Sequence, residues 1–285
     1  MHRTASLLFI CILLSAGCLS APPQQGETVR LITPPAGFSL FDSQGTYAGI
    51  IGNETPDIPA NYSMGIVTIP PGNATPPHRL IGSTEFVYLI GGEAEIRCDN
   101  RTVTAREGEA VLLPEGVLQS IASVGKTDLR YVNVIQPPFT AAKEVLGDEL
   151  AALPTTDGVP VVIPDPGAGM AWDMGSDMMI YTLANPVLMT EMALPIDYSV
   201  AYAELLPGGS IGYNRLNGSS EVIFVISGEV EVFTPEGSVV RVPAGSAAYV
   251  PPDQVKGYRN VAASNATMLS VVDPAWTLEK TEMLE

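Results

Sequence analysis

Histidine is scarce in this chain: of 285 positions only His2 and His78 carry an imidazole. That excludes any centre built on several imidazoles, the H-E-x-x-H zinc motif, and any Ser-His-Asp triad not built on His78. Cysteine is nearly as rare, with Cys11, Cys18 and Cys98 only. No P-loop, G-x-S-x-G or C-x-x-C occurs, which removes the usual phosphate-cradling, hydrolase-elbow and dithiol chemistries. Basic residues are also few. Fourteen Lys and Arg stand against 31 Asp and Glu, and the net charge of −17 opposes binding to nucleic acid or anionic lipid.

What is present describes packed globular material. Hydrophobic residues make up 46% of the chain and charged residues 16%, and the length is sufficient for two domains. Residues 1–17 read as a secretory signal: His2 and Arg3, an apolar run of about twelve residues, too short to span a bilayer, then Gly17 and Cys18. The ending L-S-A-G-C resembles a lipoprotein box, so Cys18 is the expected lipidation site, with an ordinary signal peptide cut elsewhere as the alternative. Residues 18–26 read as a tether. Cys98 then remains alone, with no partner for an internal disulfide, and reads as a half-buried hairpin residue, not a nucleophile. Six of the ten asparagines open N-x-S/T sequons: Asn53, Asn61, Asn73, Asn100, Asn217 and Asn265. That excess is consistent with an exported, glycosylated surface. The expectation is a protein anchored to the outer face of the cytoplasmic membrane.

The stretch from Pro71 to Gln119 alternates or clusters its apolar residues as half-buried strands do, and Gly72, Gly92 and Gly108 mark tight turns between them. The pattern returns. Pro207, Gly208, Leu216, Glu221, Gly228, Glu229 and Glu231 lie 136 positions after Pro71, Gly72, Leu80, Glu85, Gly92, Glu93 and Glu95, and Gly245 and Pro251 lie 137 after Gly108 and Pro114. One β domain is present twice. The segment A-A-K-E-V-L-G-D-E-L-A-A-L, after the first copy, predicts a helix packed on the outside through Val145, Leu146, Leu150 and Leu153. The C-terminal tail from Trp276 predicts a second.

These spacings carry a family resemblance. Gly72, His78, Leu80, Glu85 and Gly92, then Gly108, Pro114, Gly116 and Gln119, fall at the motif positions of the cupin superfamily; Gly208, Asn214, Leu216, Glu221 and Gly228, then Gly245, Pro251, Asp253, Lys256 and Asn260, repeat them. The chain resembles a bicupin. The resemblance implies an all-β fold of two tandem small jelly-roll barrels with a short helix after each. The expected division is an N-terminal cupin domain at 27–152 (motif 72–119), a linker at 153–171, and a C-terminal cupin domain at 172–285 (motif 208–260).

The resemblance also implies an interior metal site of three histidines and one carboxylate. Here the matching positions hold His78, Leu80, Glu85 and Gln119 in the first barrel, where Leu80 cannot ligate. The expectation is either no cofactor or one weakly bound divalent metal, against a hydrogen-bonded His78–Glu85 pair lining a polar pocket. In the second barrel Asn214, Leu216, Glu221 and Lys256 replace the set. Lys256 is expected to pair with Glu221 in place of an ion, the alternative being that it snorkels to solvent. Glu93, Glu95, Glu229 and Glu231 read as solvated sheet faces, and Phe86 and Tyr88 as packing residues. The leading functional expectation is an exported, lipid-anchored bicupin binding a small polar molecule, a sugar or organic acid, with little or no metal-dependent catalysis. The alternatives are a metal-dependent bicupin enzyme of decarboxylase, dioxygenase, isomerase or aminohydrolase type using the N-terminal barrel, and an envelope scaffold. No nucleic-acid partner is expected, and the chain can be a monomer or a homodimer.

Overall fold

A computed structural model describes residues 28–284. The expected signal at 1–17, the lipidation site Cys18 and the tether at 18–26 lie outside the described residues. The regular structure is almost wholly β, in two barrels that each join a seven-stranded to a five-stranded sheet.

In the N-terminal barrel the larger sheet is centred on the strands Thr84–Gly91 and Leu129–Gln136, paired antiparallel, and the smaller on Gln119–Ser123 between His78–Leu80 and Glu93–Cys98. The C-terminal barrel repeats this with Ser220–Ser227 against Ala266–Asp273, and Lys256–Arg259 between Ser210–Leu216 and Glu229–Phe233. The strand Thr84–Gly91 shows why its sequence is apolar at nearly every position. Successive side chains point to opposite faces: Val87 and Leu89 enter the core of their own barrel, while Phe86 and Tyr88 enter a core shared by both barrels. Val222 and Phe224 reach that shared core from the other side, and the rings of Tyr62 and Tyr198 meet within it at 5.7 Å. The two large sheets therefore pack face to face, and each small sheet closes its barrel on the far side.

Two segments sit apart from the barrel that adjoins them in sequence. Arg30–Ile32, within the stretch expected to open the N-terminal barrel, pairs with Ala247–Val250 of the C-terminal barrel. Val161–Ile163, within the expected linker, pairs with Ala110–Leu113 of the N-terminal barrel. Each repeat thus lends its first short strand to the sheet of the other. The physical reason is an exposed strand edge in each large sheet, whose N–H and C=O groups the lent strand satisfies.

The short helices after the barrels are 3-10 turns, at Ala141–Lys143 and Gly147–Ala152 in the first copy and Leu278–Lys280 in the second. The continuous outer helix predicted from the alanine-rich segment does not form. Glu144–Leu146 is instead a strand paired with His78–Leu80, and Thr281–Met283 pairs likewise with Asn214–Leu216. Gly147, at φ +58, ends the strand in a left-handed conformation that no α-helix interior accommodates.

Candidate functional site

The N-terminal barrel encloses a cavity of about 720 Å³. Its floor is polar and drawn from both sheets: His78, Glu85 and Asn133 line it, and Gln119, itself outside the lining, is bonded to the first two. Gln119 and His78 are register partners on neighbouring strands of the small sheet, so their side chains emerge side by side. Glu85 and Asn133 come from adjacent strands of the large sheet and face them across the interior. All four residues are buried.

One hydrogen-bond pattern ties these groups together. His78 Nδ1 donates to the Pro76 carbonyl at 2.9 Å, which leaves Nε2 to accept. The Gln119 amide nitrogen lies 3.1 Å from that Nε2 and donates to Glu85 Oε2 at 2.5 Å. Asn133 Nδ2 donates to Glu85 Oε1 at 3.1 Å. Glu144, on the strand that edges the cavity, has its carboxyl pushed above the usual range by burial; nearby His78 acts against that shift and Glu85 adds to it. The phenol of Tyr131, also lining the cavity, is held protonated by burial and by Glu85. Phe41 stacks near His78, with ring centroids 5.9 Å apart. Phe41 is carried there by a turn in which Phe41, Asp42 and Ser43 all have positive φ.

This donor set does not fit the metal that the fold family implies. The lone pairs of His78 Nε2 and Glu85 Oε2 both face the NH₂ of Gln119, which cannot ligate, and the fourth position is Leu80. Among the described residues no cluster of three or more His, Cys, Asp or Glu side chains is arranged to hold a metal ion.

In the C-terminal barrel the equivalent positions form a closed network. Lys256, 1% exposed, donates to Asn214 Oδ1 at 2.7 Å and lies 3.4 Å from Glu221 Oε2. Tyr258 donates to Glu221 Oε2 at 2.5 Å and Ser270 to Oε1 at 2.6 Å. Burial lowers the Lys256 ammonium below its ordinary pKa, and the Glu221 charge partly restores it. Lys256 therefore does not snorkel to solvent.

Three contributors, Asn133, Tyr258 and Ser270, are absent from the motif. A sequence signal for two of them exists. Asn133 and Ser270 are repeat equivalents, 137 positions apart, and each is a polar residue inside an otherwise apolar strand, Y-V-N-V-I and M-L-S-V-V. Each donates to Oε1 of its barrel's glutamate.

Other expected residues lie elsewhere. Cys98 is buried at the end of its strand, its thiol pushed up to about 11 by burial, so it is protonated and inert at neutral pH. Glu231 corrects the reading of a solvated face: it is 2% exposed and held by Arg241 at 3.0 Å and Arg259 at 2.7 Å. Asn53, Asn61, Asn100, Asn217 and Asn265 are exposed, and Asn73 is half-buried. A second cleft of about 570 Å³ lies where the barrels meet, with Tyr88, Tyr181 and Tyr202 in its wall.

Comparison with known proteins adds the following. The family described as Cupin domain matches residues 65–135 and 201–272. Oxalate decarboxylase from Bacillus subtilis superposes with a TM-score of 0.66 at 15% identity, over 90% of this chain and 78% of that one. The coconut allergen cocosin superposes with a TM-score of 0.66 at 14% identity, over 88% of this chain and 86% of that one. No curated protein matches the sequence. At these identities the structural likeness is one of fold.

Proposed function

This chain belongs to the cupin domain family, and from that premise we propose that its N-terminal barrel binds a small polar molecule of the size of a sugar or an organic acid, with little or no metal-dependent catalysis. The observation that carries this is the contrast between the barrels. One keeps a cavity of about 720 Å³ with a polar floor and aromatic walls, the usual form of a small-molecule site. In the other, Lys256 stands where the last ligand of the motif would be and pairs with the glutamate. Export and anchoring through Cys18 belong to the same reading and place the cavity outside the cytoplasmic membrane.

A metal-dependent enzyme would need Gln119 to turn its amide oxygen inward and an ion to hold it with a single imidazole and one carboxylate. Such a set binds divalent transition ions weakly. Metal analysis and thermal denaturation of the purified protein separate the readings. The expected result is sub-stoichiometric metal, with a rise in Tm of about 5 °C when a small polar ligand is present at 100 times its Kd. Ala141 is exposed and lines the cavity mouth, so Ala141→Trp should remove that rise without disturbing the core. Stoichiometric metal lost in His78→Ala would overturn the proposal in favour of the enzyme.

A further inference from the structure

The polar groups of the N-terminal cavity are one-sided in hydrogen-bonding capacity. Asn133 is 5% exposed, its Nδ2 is engaged by Glu85, and its Oδ1 is buried with no partner. Buried polar atoms of this kind are rarely left unmet, and an orphan on a side chain that lines a cavity points to a ligand atom there. Gln119 directs its amide nitrogen at His78 and Glu85, and His78 donates its one hydrogen to Pro76. What remains on the amides and the imidazole is therefore mainly acceptor capacity. Hydroxyls apart, the one hydrogen these groups keep is the second on Asn133 Nδ2, so acceptors outnumber donors in the floor.

The charges point the same way. Among the described residues three carboxylates line the cavity, those of Glu54, Glu85 and Glu144, and no Lys or Arg does. The rings of Phe41 and Tyr47 stand in the same wall. A carboxylate ligand would add a fourth negative group where no cation receives it. A neutral polyol could donate to Asn133 but would leave the repulsion between Glu85 and Glu144 unrelieved. An ammonium satisfies the orphan acceptor, screens the carboxylates and is attracted by aromatic faces.

Resting on the reading of this barrel as a ligand cavity, we propose that its ligand is a protonated organic amine, held by Asn133 Oδ1 and the carboxylates of Glu85 and Glu144, with its carbon skeleton against the aromatic wall.

Three four-carbon probes of matched length test this by calorimetric titration of the purified protein at low salt: putrescine, 1,4-butanediol and succinate. Putrescine is expected to bind at least about tenfold more tightly than butanediol, with no measurable binding of succinate. Glu144 is half-buried at the cavity edge, so Glu144→Lys, which supplies an internal ammonium, should fold and weaken putrescine binding at least about tenfold. Glu144→Gln should weaken it less, and Ala141→Trp should abolish it.

Putrescine binding that survives both Glu144→Lys and Ala141→Trp lies on the acidic surface and overturns the proposal. Succinate or butanediol binding as tightly as putrescine, and blocked by Ala141→Trp, overturns the amine while the ligand cavity stands. No binding of any probe, together with no ligand-induced Tm rise removed by Ala141→Trp, overturns both.

Discussion

Lys256 holds a positive charge where water cannot reach it, beside the one carboxylate that can receive it. Removing one member of such a pair leaves the other charged and alone, which costs more than the pair contributes. Lys256→Met is expected to lose about 3 kcal/mol in denaturant unfolding at neutral pH, the low end for a broken buried pair, because Glu221 keeps the hydroxyls of Tyr258 and Ser270. The double variant Glu221→Gln, Lys256→Met should recover most of that loss. The pH response has a definite sign. The folded-state pKa of Lys256 lies below its unfolded value, so the unfolded chain binds more protons between the two, and that lysine's contribution to stability rises with pH in the window beneath about 10.5. The stability difference between wild type and Lys256→Met should therefore shift in favour of the wild type as pH is raised from neutral into that window. The residues of both sites are partly legible because turn glycines fix the phase of the strands that carry them, so His78, Glu85 and Gln119 necessarily converge. Asn133 is harder to read: its strand follows after a separate hairpin, and only its polarity among apolar neighbours betrays an inward position.

At the scale of the element, the hairpin of Phe38–Leu40 and Gly45–Ile51 brings Phe41 over the cavity through a turn that places three side-chain-bearing residues in the left-handed region. Each incurs a steric cost between Cβ and backbone that glycine avoids. Ser43, at φ +71, makes only an exposed 3.4 Å contact with Ser39. Ser43→Gly is therefore expected to stabilise the fold by about 0.5–1 kcal/mol, read as a rise in the denaturant midpoint with an unchanged slope. Phe41→Ala should leave stability nearly unaltered, since that residue is only partly buried, and should weaken any ligand that uses the aromatic wall. The short strand Glu144–Leu146 is the element least visible in the sequence. The alanines, lysine and acidic residues that flank it favour a helix locally, but His78–Leu80 presents an edge whose backbone groups need partners, and that tertiary demand prevails over weak propensity. The long strands have no such conflict. Their period-two pattern and the two-sided burial of Thr84–Gly91 are written directly in residue order.

For the whole molecule, the shared core and the reciprocally lent strands make the two barrels one thermodynamic body. Arg30–Ile32 completes a sheet by pairing with a strand more than two hundred residues further along the chain, and Val161–Ile163 completes the opposite sheet. Scanning calorimetry is expected to show a single unfolding peak, with calorimetric and van't Hoff enthalpies in agreement; two resolved peaks would mean that the barrels melt independently. The duplication itself is plain in the sequence, since its 136- and 137-residue offsets recur across many positions. The crossing of the strands is not, because a three-residue strand such as Arg30–Ile32 or Val161–Ile163 carries no mark of which sheet edge it will join. Protease cleavage in the exposed stretch around residues 154–158 would accordingly not release two halves: each fragment would keep a rib of its neighbour woven into it, and the nicked species should travel through a sizing column as an intact molecule until denaturant pulls the clasp apart.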